Sequence, residues 1–205
     1  MLIQKSGSDT ALVILHEIYG VNRFITDQCD RYAGDGYDVY CPNINGSPPF
    51  GYAEREHAYR HFMQRGGFAQ AARVRRMLKK LRPHYARVIL MGFSVGATLA
   101  WLCSNHALCD RVICCYGSRI RDYTDTTPEV PTLLLFAEQD SFDVCATASA
   151  VTRNNTAVHI FAAGHGFLDP YGECYDASCA KIAWEIIKHF AQGEQSDFQD
   201  VLTDI

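Results

Sequence analysis

Short apolar runs alternate along this chain with longer amphipathic stretches, and that alternation predicts its elements. "ALVILH" (11–16) is a continuous apolar run, the pattern of a strand covered on both faces. Residues 22–33 follow with helical periodicity, and Gly34 and Gly36 stop it. "YDVYCP" (37–42) predicts a second strand, and "NINGSPPFGY" (43–52), dense in Asn, Gly and Pro, predicts a loop. Two helical stretches come next, near 53–64 and 67–82. In the second, Phe68, Ala71, Val74, Leu78 and Leu81 mark one apolar face, while Arg73, Arg75, Arg76, Lys79 and Lys80 occupy the remainder. "RVILMG" (87–92), "RVICCYG" (111–117), "TLLLFAE" (132–138) and "AVHIFA" (157–162) predict four more strands. Helices are expected at 95–104, near 143–153 and at 174–191, with an acidic, loosely packed tail over 192–205.

Strands that alternate with helices predict an α/β fold: a mostly parallel central sheet with helices on both faces. The chain has 205 residues and no internal repeat, so a single domain is expected. In such sheets ligands collect beyond the carboxyl ends of the strands, which gives weight to residues just after each apolar run.

Composition narrows the function classes. A net charge of −4 offers no electrostatic footprint for nucleic acid. The cations of 67–82 read as a solvated helix face. No apolar run is long enough to span a bilayer. "MLIQKSGSDT" lacks the sections of a signal peptide, so a cytoplasmic location is the expectation. The nine cysteines are an odd number, and Cys41, Cys103, Cys114 and Cys115 lie in apolar runs, which suits reduced, buried thiols. There is no CxxC pair, and Cys174 and Cys179 lack zinc-site spacing. His57 and His61, four apart on a predicted helix, could share a metal, but a pair of surface histidines is the commoner arrangement; no metal is expected.

The chemistry concentrates at Gly92-Phe93-Ser94-Val95-Gly96, between a predicted strand and a predicted helix. A nucleophile there sits on a sharp turn that lifts its hydroxyl above the sheet, and residues two away on either side must be very small. The competing reading is a serine that caps the helix, with glycines for packing. A serine nucleophile needs a base, and the base needs an orienting acid. In this arrangement the chain order is Ser, acid, His. Asp140 stands just past "TLLLFAE" and His165 just past "AVHIFA", in "AAGHGF". Asp143 is the rival acid, but its position suits the cap of the next helix. An oxyanion would be held by the backbone N–H of Val95 and by a second N–H from the loop "HEIYG", for which Ile18 is the candidate.

"LHEIYGVN", "EREHAY", "GFSVG", "FAEQD" and "AGHGF" together resemble the dienelactone hydrolase family of α/β-hydrolases, over about residues 11–190. The resemblance implies the α/β-hydrolase fold and a nucleophile–Asp–His triad. Members of the type carry a cysteine nucleophile, where this chain has Ser94. Glu17 matches the glutamate that contacts the resting thiol in those enzymes. Beside a serine it could accept a hydrogen bond from the hydroxyl, order the loop, or be a buried structural carboxylate. Arg55 matches one of two arginines that hold the substrate carboxylate, and competes with an ion pair to Glu54 or Glu56. Tyr59 in the same motif is a further candidate contact. The second arginine position, four residues after the histidine, holds Asp169, which disfavours an anionic substrate. The antiparallel strands that open the fold are reduced to at most "LIQK".

These readings converge on a serine hydrolase for a small ester, lactone or thioester, without cofactor, membrane or nucleic-acid partner, as a monomer or small homo-oligomer. A peptidase, acyltransferase or lyase using the same serine, and a non-catalytic binding homologue, are the alternatives.

Overall fold

The computed structural model describes residues 1–193; most of the expected acidic tail lies outside the described residues. Seven strands form one sheet: β1 (Leu2–Gln4), β2 (Thr10–Leu15), β3 (Asp38–Cys41), β4 (Arg87–Phe93), β5 (Arg111–Cys115), β6 (Thr132–Gln139) and β7 (Thr156–Gly164). Their order is β1-β3-β2-β4-β5-β6-β7. Among the described residues only β1 runs antiparallel to its neighbour; the remnant "LIQK" forms this strand, paired with β3.

Successive side chains of a strand point to opposite faces, and both faces here are covered. In β2, Ala11, Val13 and Leu15 join one core with Phe62, Val74, Leu78 and Leu99. Leu12 and Ile14 join the other with Phe24, Ile25, Ile187 and Phe190. The first layer comes from α2 (Arg55–Gln64), α3 (Ala71–Leu81), α4 (Val95–Trp101) and α5 (Val144–Val151). The second comes from α1 (Arg23–Gly34) and α6 (Ala177–Gln192). All nine cysteines are free, and six are buried among these apolar residues.

The differences from expectation lie at element ends. The closing helix begins at Ala177 rather than 174, because the Asp176 side chain caps it by accepting the Cys179 N–H at 2.8 Å. The helix after Ser94 ends at Trp101 and continues as turns. β7 is longer than the apolar run suggests. It keeps pairing with β6 to Gln139↔Gly164, across an irregularity at Ala137–Gln139. Among the described residues, no helix is long and apolar enough to cross a membrane.

Candidate active site

Three strand ends converge on Ser94. Its N–H donates to the Cys115 carbonyl at 2.9 Å, so the β4–β5 ladder runs one residue past the strand. The chain then turns sharply into α4, with Ser94 at φ 53° and ψ −114°. A side-chain-bearing residue adopts such a conformation only when its surroundings hold it there. The flanking glycines explain how. A Cβ on Gly92 would lie 2.2 Å from the Gly96 oxygen, and one on Gly96 would lie 2.3 Å from the Leu15 oxygen and 2.7 Å from that of His16. No larger residue fits either position. The second close approach also draws the end of β2, which leads into Glu17 and Ile18, against the start of α4.

The Ser94 Oγ lies 2.9 Å from His165 Nε2, and His165 Nδ1 lies 2.6 Å from Asp140 Oδ2. Gln139 and Gly164 are register partners at the ends of β6 and β7. Asp140 and His165 are therefore the first residues beyond that pair, side by side. The ladder irregularity falls immediately before Asp140, and irregularities of this kind re-aim the side chains beside them. Burial pushes the Asp140 carboxyl up, but the hydrogen bond and charge of His165 and the Ser141 N–H outweigh it, and the net direction is down. Asp143 is elsewhere: its side chain caps α5 through the Ala146 N–H at 2.8 Å.

Glu17 is 4% exposed. Burial is the largest influence on its carboxyl, the charge of Asp169 adds to it, and His165 and the Tyr116 hydroxyl oppose it; the result is about 7. Tyr116 faces Glu17 without meeting a strict hydrogen-bond geometry. No hydrogen bond joins Glu17 to Ser94, whose hydroxyl is turned to His165. Tyr116 follows β5 as Ser94 follows β4, also has positive φ (43°), and packs its ring on His165 at 5.3 Å.

The Ile18 loop is held from below. His16 is fully buried, and desolvation lowers it to about 4 against the opposing pull of the Glu17 carbonyl, so the ring is neutral at pH 7. Its Nε2 accepts the Ile44 N–H at 2.9 Å, which leaves Nδ1 as the donor to the Glu17 carbonyl at 2.6 Å. The Asn45 side chain donates to the Ile18 carbonyl at 2.6 Å. With their carbonyls fixed from behind, the N–H groups of this loop keep one orientation.

The remaining candidates lie outside the Ser94–His165–Asp140 hydrogen-bonded chain. Asp169 is 2% exposed and accepts from the Tyr52 hydroxyl and the Tyr171 N–H, so it is a satisfied buried carboxylate. Burial nevertheless raises it, with Tyr52 opposing. Arg55 is exposed at the start of α2 and forms no ion pair with Glu54 or Glu56. Glu54 is turned to the Gly51 N–H and to His57. Arg55 acts on the region only through its charge, which reaches Tyr19. Tyr59 is half-buried and packs on the core. His57 and His61 both lie on the Phe50 ring, and His61 Nε2 contacts the Asn45 carbonyl. Among the described residues, no group of three or more His, Cys, Asp or Glu is arranged to hold a metal.

Glu17 carries a prediction about stability. In the unfolded chain its carboxyl titrates near 4.5, and in the fold near 7. The folded state binds this proton more tightly, so its contribution to stability is present below about 4.5 and is lost as pH rises through 7. Glu17→Gln removes that loss. Its Tm should exceed the wild type's by about 5 °C or more near pH 8, and by less than half of that near pH 5. Melting curves at the two pH values check this; an equal Tm difference at both would contradict the buried, proton-binding carboxyl.

Comparison with known proteins agrees with this architecture. A model of the dienelactone hydrolase family matches residues 1–194. The Bacillus subtilis protein YczH, which is uncharacterized, is 31% identical over 187 residues, covering 88% of this chain and 92% of that one. The Pseudomonas putida carboxymethylenebutenolidase is 28% identical over 192 residues, covering 85% of this chain and 81% of the enzyme. Among solved structures, a Klebsiella pneumoniae protein assigned as a dienelactone hydrolase superposes with a TM-score of 0.74 at 20% identity, covering 89% of this chain and 86% of its own.

Proposed function

The chain belongs to the dienelactone hydrolase family and is a carboxylic ester hydrolase, and from that premise we propose that Ser94, His165 and Asp140 cleave a small ester or lactone through an acyl-enzyme. The observation that carries the proposal is the continuous hydrogen-bonded chain Ser94–His165–Asp140 at three strand ends, 2.9 and 2.6 Å long.

The geometry supports the following sequence of steps. His165 Nε2 takes the Ser94 proton as Oγ attacks the carbonyl carbon. Asp140 keeps the ring's other proton on Nδ1 and stabilises the imidazolium. The N–H groups of Val95 and Ile18 are the proposed donors to the oxyanion; the first opens α4, and the second lies on the loop fixed by His16 and Asn45. The protonated His165 delivers its proton to the departing alcohol. It then draws a proton from water as that water attacks the acyl carbon, and returns the proton to Ser94 Oγ as the serine ester bond breaks and the acid leaves. No step calls for a metal or cofactor.

The acyl acceptor is water and the substrate is neutral. Glu17 and Asp169 are both buried at the site, and a bound carboxylate would add to their charge. Arg55 stands exposed and is the proposed source of any compensating attraction. Tyr59 serves packing in this reading. A cytoplasmic monomer or small homo-oligomer built as one domain is the proposed setting.

A fluorophosphonate probe tests the role of Ser94. The expected result is one adduct per chain, mapped to Ser94 and absent from Ser94→Ala. A probe that labels both proteins equally, or neither while ester hydrolysis proceeds, contradicts the proposal.

A further inference from the structure

A cavity of about 520 Å³ opens beside α3, at the carboxyl end of β3. That volume lies in the range of small-molecule sites, about 300–1,000 Å³. Its walls include none of Ser94, His165, Asp140 or Glu17. Ile44 and Met77 line it with apolar surface, and Arg73, Arg76 and Lys80 are its charged wall residues. The three cations recur at helical spacing with Met77, so α3 presents them on one stripe. No carboxylate lines the cavity, and none of the three is ion-paired among the described residues. This is a local concentration of positive charge on a chain whose net charge is −4.

Gln70 adds a polar side chain to this wall. It lines the cavity and is only 8% exposed, and its amide nitrogen is buried without a hydrogen-bond partner. Buried amide groups almost always have partners, so an unpaired one against a cavity needs explaining. That nitrogen is closed to solvent in this conformation, so an acceptor in the cavity would meet it once the side chain turns outward. An apolar floor, a cationic rim and an unused amide donor together describe one kind of molecule.

We infer that this cavity is a second binding site, for a small amphipathic organic anion. The hydrocarbon part lies on Ile44 and Met77. The carboxylate meets Arg73, Arg76 and Lys80 and accepts from Gln70. The basic stripe of α3, which sequence patterning reads as a solvated face, is thereby the recognition surface of a ligand. Binding here is independent of the acyl-transfer chemistry proposed above.

The four methionines make the test site-resolved: Met1 and Met77 line the cavity, while Met63 and Met91 do not. The experiment is methyl NMR on the full chain with isotope-labelled methionine, titrated with octanoate, with octanol as the uncharged control. The Met77 signal should move saturably with half-saturation below about 1 mM while Met91 stays still. Octanol, or octanoate with the triple variant Arg73→Ala/Arg76→Ala/Lys80→Ala, should need at least about fivefold more ligand. The substituted side chains are exposed, and an unchanged Met91 signal reports that the variant is folded. A Met77 signal that is not half-shifted by about 1 mM octanoate overturns the inference. A ratio below about fivefold, for octanol or for the triple variant, overturns it as well.

Discussion

Ser94→Ala is expected to lower kcat/KM for a short-chain ester by about 10⁴-fold or more, to near the uncatalysed background. The magnitude follows from the roles proposed for the three residues. His165 Nε2 is hydrogen-bonded to the Ser94 hydroxyl and Nδ1 to Asp140, so base and acid have no nucleophile to serve once the hydroxyl is gone. Activity left in the variant would come from the oxyanion donors and from substrate binding alone. The fold should persist. The change removes one hydroxyl, while Gly92, Gly96 and the Cys115 carbonyl still hold the turn. Steady-state kinetics with circular dichroism on the same preparation checks both halves. A folded variant within tenfold of wild type would place the chemistry on another residue.

The second large effect concerns substrate charge. The site holds two buried carboxyls, Glu17 and Asp169, which raise each other's cost of ionising. A substrate carboxylate brought beside them lacks a buried cation to meet it, since Arg55 is exposed and outside the hydrogen-bond network of the triad. The absence of one charge-assisted hydrogen bond costs about 1.5–3 kcal/mol, roughly 10- to 150-fold in kcat/KM. A neutral ester should therefore be preferred over an anionic lactone of similar size, such as dienelactone, by about tenfold or more. The preference should grow between about pH 6 and 8, because Glu17 titrates near 7 and becomes negative over that range. Asp169→Arg is not a useful test, because a 2% exposed position cannot take the longer cation without displacing its neighbours. Asp169→Asn removes the charge and keeps one acceptor oxygen, enough for Tyr52 but not also for the Tyr171 N–H, and should shift the ratio several-fold toward the anion. A wild type that prefers dienelactone tenfold would contradict this view of the pocket.

How much of this could be read from the chain depends on the physics behind each feature. The parallel strands were legible because burial on both faces demands continuous apolar runs, and "ALVILH" and "TLLLFAE" meet that demand without help from elsewhere. The positions of Ser94, Asp140 and His165 were legible for a related reason. Each is the first residue past a strand, and strand ends can be counted. Element starts were less so: nothing in Cys174 or Tyr175 forbids a helix, and the start at Ala177 is marked by the Asp176 cap. Side-chain partners were hardest. Tyr52 meets Asp169 across 117 residues, and His16 meets Ile44 across 28. Neither pairing leaves a local pattern. Tyr116 left one weak signal, its place just after "VICC". Arg55 was read from a motif, which fixes its place at the start of α2 but not what its guanidinium faces. The proton affinity of Glu17 arises from burial and from Asp169, and no property of residue 17 alone reports it.

The central claim is that an acyl group passes through Ser94, and the most direct measurement is to catch it there. Wild-type enzyme mixed with p-nitrophenyl acetate, quenched in acid within the first turnovers and digested with trypsin, should yield the peptide of residues 88–111 carrying one acetyl group. That peptide contains Ser94 and Ser104, and fragmentation should place the acetyl on Ser94. Full turnover with no trapped acetyl, or an acetyl on any other residue, would contradict the account.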